Sequence, residues 1–73
     1  MFINMMFGTN GCGGYYLGRW NLYATYSEAD KNGNSVDGYC WCVKSDLDNE
    51  EIDFVAETME ECVEWIFEQE DKL

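Results

Sequence analysis

Fifteen carboxylates, four cysteines and no histidine set the chemistry open to this 73-residue chain. Five of the carboxylates stand out by their spacing. Glu60, Glu61, Glu64, Glu68 and Asp71 fill an arc of about 100° on a 3.6-residue wheel. They run along roughly 16 Å of helix axis, with neighbours ~6 Å apart. Paired carboxylates can share a proton or hold a metal, but in so dense a cluster the pairing is not diagnostic. General base work at neutral pH lacks a histidine, and one arginine is all there is to clamp an anion. No glycine-rich phosphate loop with a following Lys and Ser/Thr is present, and Gly11-Cys12-Gly13-Gly14 precedes a strand pattern, not a helix. A catalytic role is therefore not expected, and neither is a cofactor.

The thiols make a poor metal set. A tetrathiolate zinc site usually shows two C-x(2–4)-C pairs. Here Cys40-Trp41-Cys42 has a single spacer, while Cys12 and Cys62 stand alone. Cys62 reads as a small buried hydrophobe. Asp30-Lys31-Asn32-Gly33-Asn34-Ser35 opens like a calcium loop, but Ser35 stands where glycine is needed and Trp41 where the bidentate acid belongs. It reads as a hairpin turn, and no metal site is assigned.

Regular elements must position these groups. Residues 2–7 read as a strand, followed by a glycine-rich loop through Gly14. From Tyr15 to about Glu28, Trp20, Leu22, Ala24 and Tyr26 alternate with polar or mixed residues, the period of a strand. Residues 38–45 form another, with Tyr39, Trp41 and Val43 on one side and Cys40, Cys42 and Lys44 on the other. Ile52, Phe54 and Ala56 mark a short last strand. Thr58 and Glu61 fit a capping box that opens a helix ending near Asp71. Met59, Cys62, Val63 and Ile66 form its buried stripe, flanked by Trp65 and Phe67. The expected fold is one α+β domain over residues 1–73: a three- to four-stranded antiparallel sheet with the C-terminal helix packed on one face.

The charge is segregated. Residues 1–45 carry three acids and three bases, whereas residues 46–73 carry twelve acids and one base, so the whole net charge of −11 sits in the last 28 residues. Naked nucleic acid and anionic membrane are poor partners for such a surface. No stretch reaches the ~18–20 apolar residues of a membrane span. The apolar start lacks a leading base, so a cytoplasmic location with reduced thiols is expected.

The carboxylate spacing resembles that of phosphates along a nucleic-acid strand. The sequence thus suggests a nucleic-acid mimic that blocks the basic groove of a nucleic-acid-binding effector or enzyme. Glu60, Glu61, Glu64, Glu68 and Asp71 would carry the contact, with Asp48, Glu50 and Glu51 as auxiliaries and Asp46 and Asp53 near them. In size and acidity the chain resembles, as a class, phage-encoded inhibitors of CRISPR effectors and restriction enzymes, with no family motif behind the likeness. A plainer reading is that the charge keeps an aromatic-rich domain dissolved. The alternative functional reading is a non-enzymatic interaction module working through an aromatic sheet face, as a homodimer or with another protein.

Overall fold

The computed structural model describes residues 7–9 and 14–72. Five strands follow in chain order: β1 (Phe7–Thr9), β2 (Tyr15–Leu17), β3 (Trp20–Ala29), β4 (Ser35–Lys44) and β5 (Phe54–Ala56), then helix α1 (Met59–Asp71). The strands form one antiparallel meander in the order β1-β2-β3-β4-β5. The sheet has five strands, not the expected three to four. The extra strand arises because Tyr15–Glu28 is not continuous. Gly18 adopts φ 62, and Leu17 pairs with Trp20 across a two-residue reversal. A lone glycine in an alternating aromatic run concealed that turn. Gly8 and Thr9, expected in a loop, pair with Tyr16 and Tyr15. The remainder of the expected first strand, residues 2–6, lies outside the described residues, as does Cys12.

Helix α1 begins where the capping box placed it. The Glu61 N–H donates to Thr58 Oγ1 at 3.2 Å, and the Thr58 N–H donates to Glu61 Oε2 at 3.3 Å. Two backbone donors that the helix start would leave open are thereby satisfied. The helix lays Cys62 and Ile66 on Leu17, Trp20, Leu22, Val43 and Ala56. Trp65 joins this core by meeting Trp20 edge-on (5.2 Å between centroids) and stacking on Phe54 (5.1 Å). Ring pairs at such distances add to the apolar burial.

The opposite face carries a second, smaller core of Cys40, Cys42, Ile52 and Val55, with Tyr23 and Val36 against it. A bend in the β3–β4 hairpin helps to cover it. Pairing slips between Tyr26 and Glu28, Ser27 takes φ 51, and Gly38 takes φ 104. The Gly38 N–H donates to Ser27 Oγ at 3.0 Å, which fixes the bulge. Beyond it the turn at residues 30–34 folds back onto residues 52–55. There Asp30, only 7% exposed, acts as a hub. Its carboxylate accepts from the N–H groups of Asn32 (2.9 Å), Asn34 (3.0 Å) and Val55 (3.2 Å) and from the Asn34 side chain (3.0 Å). The residues that suggested a calcium loop instead hold their own turn closed.

Candidate partner-binding face

Glu60, Glu61, Glu64, Glu68 and Asp71 are all exposed, while Cys62 and Ile66 on the opposing side of α1 are buried. The arrangement follows from the helical period: acids at 60, 64 and 68 form one i,i+4 row, turned away from the stripe that the sheet buries. The five are not equivalent. Glu61 is engaged in the capping box, where its carboxylate also accepts from the Thr58 hydroxyl at 3.1 Å. Asp71 closes the helix. Glu60, Glu64 and Glu68 form the row that is left to solvent.

Three of the chain's four cations, Arg19, Lys31 and Lys44, are committed elsewhere. The ion pairs between described residues are Arg19 with Glu70 (3.7 Å) and Lys31 with Asp53 (2.8 Å). Arg19 also lies over the Trp20 ring at 4.7 Å. The Lys44 ammonium donates to the Asn49 carbonyl at 2.6 Å and faces the Tyr23 ring at 6.0 Å. Lys72, four residues after Glu68, joins neither ion pair. No described cation neutralises the acidic row.

One sequence expectation changes here. Asp53 is no part of a solvent patch. It is 7% exposed, paired with Lys31, and accepts the Ser45 N–H at 2.8 Å. Burial alone would raise its carboxyl pKa, but the Lys31 ammonium and the Ser45 N–H outweigh that and hold it below the usual 3.8. Lys31 is raised in turn, chiefly by its hydrogen bond to Asp53. Asp48, Glu50 and Glu51 are exposed on the turn between β4 and β5. Asn49 is tied to Lys44 beside Tyr23, and Ile52 packs with Cys40 and Cys42, both on the side away from α1. Sequence reading also passed over Glu70. On the wheel it falls beside Ile66 and Val63, and an acid on an apolar stripe requires a cation, which Arg19 provides.

Cys42 and Cys62 are held protonated. Burial first, then the neighbouring Cys40, pushes Cys42 up to about 12; burial first, then Glu61, pushes Cys62 up to about 12. Tyr23, half-buried beside Cys42, is likewise pushed up to about 12, first by that burial and then by Cys42. Protonated thiols are poor nucleophiles and poor metal ligands. Among the described residues no group of three or more Cys, Asp or Glu is placed to hold a metal ion. No helix among them is long and apolar enough to cross a membrane.

The aromatic face is divided. Trp20, Leu22 and Val43 lie under α1, whereas Tyr26 and Tyr39, 61% and 86% exposed, lie beyond it as an edge-on pair 5.1 Å apart. Trp41 and Tyr15, 6.1 Å apart, bridge the two regions. Comparison with protein-family models, with curated proteins and with solved structures finds no match.

Proposed function

We propose that this chain is a small acidic inhibitor that occupies the basic nucleic-acid-binding groove of another protein, as phage-encoded inhibitors of CRISPR effectors or restriction enzymes do. The observation that carries the reading is the row Glu60–Glu64–Glu68, exposed and unneutralised while Arg19, Lys31 and Lys44 bond elsewhere. A helix whose charge served solubility alone has no reason to keep like charges at i,i+4, each pair costing a few tenths of a kcal/mol. Lys and Arg side chains that neutralise phosphates in the partner's groove would meet carboxylates of similar spacing instead. Complementary fields speed the encounter, and added salt weakens it. The chain acts by contact and performs no chemistry.

Capture from a host lysate at low and at high salt tests this. The expected result is a basic nucleic-acid-binding protein retained only at low salt and released by added duplex or single strand. Retention indifferent to both salt and nucleic acid would contradict it. A second reading rests on the Tyr26–Tyr39 pair, whose exposure suits a contact with a second copy or another protein. Light scattering separates the two: a stable dimer that Tyr39→Ser dissolves supports the second.

A further inference from the structure

The acidic row does not stand alone on α1. One residue before each of its members stands an apolar one, so that Met59, Val63 and Phe67 form a parallel i,i+4 row. With Leu17 of β2 this second row lines an open groove of about 450 Å³, and Glu60 and Glu64 stand on its lining as well. The groove has an apolar floor and a negatively charged rim. Both rows repeat every four residues, ~6 Å along the axis. We propose that the groove takes a basic amphipathic helix of the partner, its apolar side chains on Met59, Val63 and Phe67 and its Lys or Arg side chains on Glu60, Glu64 and Glu68.

Charge complementarity selects a cationic occupant. The backbone selects a helix. Strand β2 is paired on both sides, with β1 and β3, and α1 bonds internally, so neither wall offers an open edge to an extended segment. An occupant of this apolar floor must satisfy its own backbone, which a helix does. The volume suits a few large side chains and lies within the range of ligand sites. The inference rests on the acidic-face reading and sharpens it, because it names a helix as the basic element engaged.

The experiment uses the full chain and two synthetic peptides of identical composition. One carries leucines at i, i+4 and i+8, each followed by lysine, and the other is a scramble that breaks the apolar row. The ordered peptide is expected to bind at least ~10-fold tighter, about 1.4 kcal/mol. Val63→Thr and Met59→Gln should abolish that preference while leaving the scramble's affinity in place; both side chains also pack partly on the core, so circular dichroism at the binding temperature confirms that each variant keeps its helix. Glu64→Lys should weaken both peptides. Equal affinity for the two peptides overturns the groove proposal and leaves the acidic-face reading standing, whereas binding of neither overturns both. Binding that appears only when the chain is shortened to begin at Phe7 assigns the groove to the protein's own residues 1–6, and peptide competing with self-association assigns it to a second copy. Either outcome also overturns the proposal.

Discussion

Reversing the charge of Glu64 with Glu64→Lys should make the protein more stable while abolishing its proposed activity. Glu64 sits between Glu60 and Glu68 in an exposed row that no described cation neutralises. Two like-charge i,i+4 pairs now oppose the helix, each by about 0.2–0.5 kcal/mol. The substitution would remove both and create two attractive pairs of similar size, the one with Glu60 in the better Glu-to-Lys order. Together the four changes stabilise by about 1 kcal/mol at low salt. In a domain of this length that raises Tm by about 4–8 °C. Thermal unfolding followed by circular dichroism measures it, and the gain should shrink as salt screens the pairs. Glu64→Gln should recover about half. A Tm unchanged or lowered at low salt would refute the reasoning, since it would mean that Glu64 already has a favourable partner within the fold.

Five further perturbations probe the scaffold. Asp30→Ala strips the acceptor from four donors and should cost about 2–4 kcal/mol, read by urea unfolding, with hydrogen exchange accelerated at Asn32, Asn34 and Val55. Gly38→Ala places a side chain at φ 104, where a Cβ meets nothing within 4 Å, so its loss of about 1–3 kcal/mol should be purely conformational. Cys40, Cys42 and Cys62 are buried and should resist a thiol reagent until the chain is denatured. Because Cys42 and Cys62 are raised from 9.0 to about 12 in the fold, the unfolded thiols ionise first, so stability should fall as pH rises from about 9 towards 12. Asp53 has the opposite sign: held below 3.8, it contributes stability that is present above that value and lost as pH falls through its lowered pKa. Asp53→Asn should flatten the acid limb of stability against pH.

What the sequence revealed, and what it concealed, divides along physical lines. The helix was legible because capping, apolar stripe and acidic face all agree on one 3.6-residue period, and Thr58, Glu61, Cys62 and Ile66 take the places that period assigns. The long alternation in β3 and β4 was legible for the same reason. The Gly18 reversal was not, because a two-residue turn inside an alternating run leaves the pattern of each half intact. Nor was the bend at Ser27 and Gly38, which depends on a serine in left-handed backbone and a bond across the hairpin. The second core was hidden with it: Cys40 and Cys42 are buried on the face away from the helix, under a turn held by Asp30. Charge read along the chain put Asp48, Glu50, Glu51 and Asp53 with the helix acids. Burial takes Asp53 out of that set, because it is paired with Lys31 and accepts the Ser45 N–H.

The central claim is that a row of free carboxylates on α1 meets a basic groove. Its most direct test is the affinity of the chain and of Glu64→Lys/Glu68→Lys for the captured partner, measured over a range of salt concentrations. The unaltered chain should bind with a steep inverse dependence on salt, and the double variant should bind at least ~100-fold more weakly with a shallower slope while melting no lower. Equal affinity and equal slope for the two proteins would contradict the account.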